Sequence, residues 1–345
     1  MVLAVRIIEW LSRQRLRQTA RFVIAFSAAV LFLRLLGILH PSKALVDAVF
    51  QAHRFESVLA GRYYFTQPMP GGVQFPYAIG LYVFAAPWSL LTRDHVTLLR
   101  IVVCAAECIA GASLYPVIVR TWGDRLAGAV AVALFTVVPI SYQVIGNANL
   151  TNAFGQSVAL LTVGLVVVWS QGPVRARHVI TWALLASLAL LSHVSTFATL
   201  LVTLSALAWL FWWVGGARLR APAWRVLLAT TIAVVFSVVT YYGHFGDVYL
   251  KALRVRGGEA PIAARAPAPA NETPPTDVAA QGARPAGLGV RTASSLLLVT
   301  EAVGWPILLM AGAGAWRVSR RHSRDPLVLA LCAWSVAFVV FLAVG

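Results

Sequence analysis

Few residues in this chain have types that could carry chemistry, and most stand at the edges of apolar runs. Asp47 lies in a stretch where Leu45, Ala48, Val49, Ala52, Phe55 and Leu59 recur on one side, with Asp47, Gln51 and Arg54 opposite. That spacing is helical, and a helix of this pattern lies at a membrane surface. Asp47 then has two readings. It is a solvated charge on an interfacial helix, or a carboxylate held at the lipid boundary. Partial desolvation at that boundary raises a carboxyl pKa toward the working pH and makes it a usable general base.

Other candidates sit inside or beside apolar runs. Arg100 stands a few residues into one, where an ionised side chain is costly and usually has a purpose; the alternative is snorkelling to the interface. Arg34 carries the same ambiguity. Glu107 is an acid in the same run as Arg100, which stands two turns earlier and is its candidate partner. His193, in Leu191-Ser192-His193-Val194-Ser195-Thr196, joins two runs with almost no loop. It could contact a ligand, or serve as a hydrogen-bonded turn histidine. Tyr241-Tyr242-Gly243-His244 with Asp247 marks another boundary, where tyrosines fit the aromatic belt; His244 and Asp247 are secondary candidates. Cys104 and Cys108 are four apart and share a helix face, which suits small-residue packing; Cys332 is isolated. No metal-ligand spacing is present. The sequence implies no cofactor and leaves a divalent metal open.

These positions have meaning only in a bilayer. The chain has 345 residues, 59% hydrophobic and 12% charged, with mean hydropathy +0.78. Soluble domains carry about 25% charged residues. Apolar runs fall at about 20–39, 96–119, 126–142, 153–170, 178–193, 195–214, 225–243, 294–316 and 326–344, each near the roughly 20 residues that a crossing needs. The formal net charge is +16. Its basic residues stand in short clusters between apolar runs, the mark of cytoplasmic loops, so nucleic acid is not an expected partner.

Arginine placement orders the chain. A tenth apolar stretch, 75–91, is short and interrupted by Pro76 and Pro87. If it does not span, the cytoplasmic segments are 1–21, 120–125, 171–177, 215–225 and 317–324, and all are arginine-rich. The short outer connections near 143–152 and 194 then hold no Lys or Arg. If it spans, the pattern inverts. The expected fold is therefore all-α: a polytopic transmembrane bundle of about nine spans, with amphipathic and interfacial helices in the first extracytoplasmic loop. Its parts are a cytoplasmic N-terminus (1–21), a core (22–245) with the first outer loop at 40–95, an outer loop (246–293), and C-terminal spans (294–345) that end abruptly. The apolar run after the basic N-terminus is long for a signal-peptide core and reads as an uncleaved anchor. The middle of the second long loop, 260–286, is rich in Ala and Pro and is expected to be disordered. Asn149-Leu-Thr151 and Asn271-Glu-Thr273 match glycosylation sequons, against a composition that looks bacterial. The expected location is the plasma (inner) membrane, N-terminus in the cytoplasm.

Within the first outer loop, Pro41-Ser42 can open the amphipathic helix and Gly61 can end it. Asp47-Ala-Val-Phe-Gln-Ala-His53-Arg54 is followed by Gly61-Arg62-Tyr63-Tyr64, Phe75-Pro76-Tyr77 with Leu81-Tyr82, and Leu98-Leu99-Arg100. This order resembles the polyprenyl-phosphate-dependent glycosyltransferases of the GT-C superfamily, which include protein O-mannosyltransferases and lipid A aminoarabinose transferases. The resemblance covers mainly residues 20–170. It implies that Asp47, the position matching the family's first-loop acid, deprotonates an acceptor hydroxyl or amine as it attacks the anomeric carbon. Polyprenyl phosphate would leave, and a cation would be needed near it, with Arg100 the matching candidate. His53, Arg54, Glu56, Tyr77, His193 and His244 would complete a substrate site. The partners would be a polyprenyl-phosphate-linked sugar, the lipid bilayer and an extracytoplasmic protein, glycan or lipid acceptor.

The sequence departs from that family in three ways. The outer stretch 141–152 has asparagines where many relatives carry a second acid. Glu56 is the only other acid between Asp47 and Asp94. Many relatives also have further spans and a C-terminal extracytoplasmic region. Two other readings therefore stand beside transfer: a non-catalytic scaffold with the same architecture, and a transporter or flippase of lipid-linked substrates. The last favours matched broken helices in two halves, and no such pair is visible.

Overall fold

The computed structural model describes residues 2–40, 47–68, 74–137, 149–250 and 305–344. The second Asn-Glu-Thr sequon, the Ala/Pro-rich stretch and the Pro41-Ser42 helix start lie outside the described residues. The elements are α1 (Val2–Ile38), α2 (Ala48–Leu59), β1 (Thr66–Pro68), β2 (Gln74–Pro76), α3 (Gly80–Ala85), α4 (His95–Trp122), α5 (Arg125–Val137), α6 (Leu150–Trp169), α7 (Ala176–Leu190), α8 (Val194–Trp213), α9 (Ala217–Thr240), α10 (Trp305–Arg321) and α11 (Pro326–Val344). Among the described residues, regular structure is helical apart from the antiparallel pair β1–β2, whose register sets Gln67 against Phe75.

Among the described residues, five helices are long and apolar enough to cross a membrane: Gln18–Ile38, His95–Trp122, Leu150–Trp169, Val194–Trp213 and Ala217–Thr240. The chain is thus compatible with a multi-pass membrane protein. Arg125–Val137, Ala176–Leu190 and Pro326–Val340 are apolar but shorter. Large apolar side chains such as Ile24, Phe32, Leu184 and Val239 are exposed on helix surfaces, as a lipid-facing bundle requires. Helix ends follow their capping chemistry. The Asp94 carboxylate accepts from the Thr97 N–H at 3.0 Å and from its hydroxyl at 2.6 Å, starting α4; these bonds hold its pKa below the usual carboxylate value. Gly123, at φ +72°, ends α4 with its N–H on the Val119 carbonyl.

α4 packs on α1, α5 and α6; α9 packs on α7 and α8; α11 lies along α8. Small residues let these helices close up. A side chain added at Gly155 of α6 would meet Thr196 Oγ1 at 2.9 Å and Ser192 Cβ at 3.1 Å. Asn149 stands at the head of α6 with Thr151 buried one turn in, so that sequon offers little exposed surface. Cys104 and Cys108 are buried free thiols and Cys332 is exposed.

Two expectations are corrected within the bundle. Glu107 does not pair with Arg100. It forms a buried ion pair with Arg34 of α1, and Arg34 also donates to the Thr136 carbonyl of α5 at 3.3 Å. Two turns along one helix separate Arg100 and Glu107 by about 10 Å, whereas α1 crosses α4 beside Glu107. Tyr241 and Tyr242 do not form an exposed aromatic belt. Both are buried, because their hydroxyls find the Tyr77 carbonyl (2.5 Å) and the Leu190 carbonyl (2.8 Å).

The bundle has two chemically distinct ends. At one, connections from α4, α6–α7, α9 and α10–α11 meet around Thr121, Gln171, Arg218 and the turn 322–326. These are the arginine-rich connections. At the other, α2 and α3 meet the α7–α8 turn and the end of α9. Gly80 fixes this second junction. Its N–H donates to the Leu191 carbonyl at 2.6 Å, and a side chain there would stand 2.5 Å from Ser192 Oγ and 2.7 Å from the Leu188 carbonyl.

Candidate functional site

The second end holds the sequence-derived candidates. α2 is amphipathic, but its buried face is Ala48, Gln51, Ala52, Phe55 and Val58. The expected face differs: Val49 and Leu59 are exposed, whereas Val58 and Gln51, the latter only 2% exposed, are buried. Hydrogen bonding explains the rotation, since a buried amide needs partners. Gln51 Nε2 donates to the Tyr77 hydroxyl at 2.8 Å, and the Tyr82 hydroxyl donates to Gln51 Oε1 at 2.5 Å. Tyr241 in turn donates to the Tyr77 carbonyl. Burial, then the neighbouring Tyr77 phenol, pushes the Tyr82 pKa well up; burial does the same for Tyr241. Both phenols remain donors at ordinary pH.

Arg54 lies one turn further along α2. Its guanidinium stands over the Phe50 ring at 5.0 Å and the Phe65 ring at 4.8 Å, and donates to the Thr66 carbonyl at 3.3 Å. The β1–β2 hairpin thus clamps a cation. Tyr64 extends the aromatic wall: it stacks on His244 at 4.3 Å and donates to the Thr240 carbonyl at 3.3 Å. Glu56 lies 3.3 Å from His95 Nδ1 in an exposed pair, and His53 is exposed beside it.

Asp47 begins α2. Its φ is +55° and ψ −9°, the left-handed region, and no other described non-glycine residue has positive φ. Asp tolerates this conformation better than most residues, at a cost of about 1–3 kcal/mol. Its carbonyl accepts from the Gln51 N–H, but its exposed carboxylate caps nothing. Asp94, Asp124 and Asp325 each use the carboxylate to cap a helix.

Arg100 and His193 have neighbours of their own. Arg100 is buried and donates to the Ile38 carbonyl at 2.5 Å, satisfying the C-terminal end of α1. His193 Nδ1 accepts from the Ser195 N–H at 3.2 Å and lies 2.7 Å from Ser195 Oγ, so it caps α8. Burial lowers its pKa, which keeps the acceptor lone pair available. Among the described residues, no hydrogen bond or ion pair joins Asp47, Arg100 and His193. They share an end of the bundle but not a cluster.

Sequence reasoning missed the centre of this site. Gln51 was assigned to the polar face of α2, and Phe50 and Phe65 had no role. The available signal was Gln51 itself, in register with Ala48 and Phe55 on one helix face. Among the described residues, no three His, Cys, Asp or Glu side chains gather to hold a metal. The chain matches no model of a known protein family and no curated protein.

Proposed function

We propose that the chain is a membrane glycosyltransferase that moves a sugar from a polyprenyl-phosphate donor to an extracytoplasmic acceptor, with Asp47 as general base. The proposal carries a topology: about nine crossings of the plasma membrane, the N-terminus and arginine-rich connections in the cytoplasm, and the α2–α3 end outside. The shorter helices α5, α7 and α11 and the 294–316 run that leads into α10 join the five long ones as crossings, and α3 lies in the outer interface.

One observation supports the reading most. Asp47 is held in a left-handed turn at the head of a helix without capping it, and a strained backbone often marks a functional position. Arg54 is seven residues on, about 10 Å along the axis. That separation suits an in-line displacement, with the acceptor beside Asp47 and the departing phosphate beside Arg54. The acceptor O–H or N–H gives its proton to Asp47 while its lone pair attacks the anomeric carbon. The bond from that carbon to the phosphate oxygen breaks, and polyprenyl phosphate leaves with the electron pair. Arg54 stabilises the charge that develops there. We give this role to Arg54, which is half-buried, rather than to Arg100, which is buried. Tyr63 and Tyr64, both exposed, offer aromatic faces to a sugar.

The test is transfer of a labelled sugar from a polyprenyl-phosphate donor by membranes holding wild type or Asp47→Asn. The variant inserts normally and loses transfer by about 100-fold or more, the range of general-base catalysis. Undiminished transfer removes Asp47 as base. The Arg100–Ile38 contact also favours a second reading, a non-catalytic scaffold, because it gives a structural role to the cation first matched to phosphate. Under that reading wild type and variant are equally inert.

A further inference from the structure

The arginine-rich end carries a cleft of about 420 Å³ that the transfer reaction does not use. Four elements build it. α4 supplies Thr121, the α6–α7 turn Gln171, α9 Arg218, and the α10–α11 turn His322, Ser323 and Arg324. We propose that this cleft binds a phosphate-bearing anion.

Three features carry the inference. First, its cation is anchored. Arg218 donates to the Gln171 carbonyl at 3.0 Å, Gln171 Nε2 donates to Thr121 Oγ1 at 2.8 Å, and Thr121 Oγ1 donates to the Val117 carbonyl at 2.7 Å. This chain ties the guanidinium to two other elements, so less of its freedom is lost when it grips a ligand. A guanidinium has five donors, and the Gln171 carbonyl engages one nitrogen. Second, the lining charge is positive. Arg218 and Arg324 face the cleft with one acid, Asp325, whose carboxylate already accepts from the Leu327 N–H at 2.8 Å to cap α11. Third, α9 begins here, and a helix N-terminus favours an anion. Ser323 adds a hydroxyl donor of the kind that completes a phosphate site.

Two sources supply that chemistry: an anionic phospholipid headgroup and free phosphate. Basic pockets between transmembrane helices on the cytoplasmic side bind anionic headgroups. The lipid source rests on the sidedness proposed above; the phosphate chemistry does not, and neither depends on sugar transfer.

Purified full-length protein is titrated with phosphatidylglycerol and, separately, phosphatidylcholine, with bound lipid counted by native mass spectrometry. A parallel arm titrates inorganic phosphate by calorimetry. Arg218→Ala/Arg324→Ala removes the two cations. Ser323→Trp fills the cleft from an exposed turn and keeps both, so it tests the site even if the first variant folds poorly. Arg177→Ala removes an exposed arginine from the same end outside the cleft. Phosphatidylglycerol binding weakened at least about tenfold in the first two variants, the scale of one lost charge-assisted hydrogen bond, and unchanged in Arg177→Ala supports a headgroup site. The same pattern for inorganic phosphate alone supports a site for the soluble anion. Binding unaffected by both cleft variants, or weakened equally by Arg177→Ala, overturns the proposal.

Discussion

The amide of Gln51 makes a quantitative demand on the α2–α3 end of the bundle. Tyr82 is fully buried, and its hydroxyl donates to Gln51 Oε1. Gln51→Leu leaves that hydroxyl buried without an acceptor, a cost of about 1–3 kcal/mol. Tyr82→Phe leaves Oε1 without its donor, a similar cost of about 1–3 kcal/mol. The double variant removes both orphaned groups and forfeits mainly the Nε2 bond to Tyr77, about 0.5–1.5 kcal/mol. The two single costs together therefore exceed the double cost, by a coupling of about 1.5–4.5 kcal/mol. The assay is reversible unfolding of the four proteins in one detergent at one pH. Burial holds the Tyr82 phenol well above its ordinary pKa, so the coupling is flat between about pH 6 and pH 9. Costs that add to within about 0.5 kcal/mol would mean that the pair does not interact and that the buried amide is not what orients α2.

The buried Arg34–Glu107 pair makes a similar demand at the α1–α4 contact. Glu107→Leu strands a buried guanidinium and destabilises by about 3–5 kcal/mol, whereas Arg34→Met/Glu107→Leu recovers most of that loss; equal unfolding temperatures for single and double variants would refute the pairing. His193 predicts a pH dependence. Burial sets its folded pKa below the unfolded value of about 6.5. Its stabilising contribution is therefore present above about pH 6.5 and is lost as pH falls through the lower folded value. Protonation takes the Nδ1 lone pair that caps α8 and sets a positive charge at a helix N-terminus. Thermal unfolding between pH 4 and pH 8 is expected to fall more steeply for wild type than for His193→Asn, whose amide caps without titrating; parallel profiles would exclude His193 as the titrating group.

What the sequence made legible was whatever is written locally. Apolar run length reports burial in lipid, and the basic connections that alternate along the chain meet around one cleft in the structure. The 75–91 stretch reads as too broken to cross, and its helical part runs only from Gly80 to Leu90. Long-range polar pairing was not legible. Gln51 finds its partners 26 and 31 residues away, and no periodicity in α2 announces them. Binary patterning counts Gln as polar and turns it outward, which moves the predicted face by one position. Glu107 failed for the same reason: spacing within α4 suggested Arg100, and the partner stood on another helix.

Asp47 lies between these cases. Its type and its place in an amphipathic stretch were legible, and its left-handed backbone was not. That backbone separates it from the other acids at helix starts. Asp94, Asp124 and Asp325 turn their carboxylates onto the first-turn N–H groups they precede, the arrangement that stabilises a helix by about 1 kcal/mol. Asp47 forgoes that gain and accepts a strained φ as well. Stability alone would favour Gly or Asn at such a position, since both adopt the left-handed region more readily. Asp47→Asn therefore tests function without loss of fold: it keeps the turn and removes the negative charge. Unfolding temperature equal to wild type or higher, with transfer lost, assigns the carboxylate to chemistry; transfer unchanged would assign Asp47 to the turn alone.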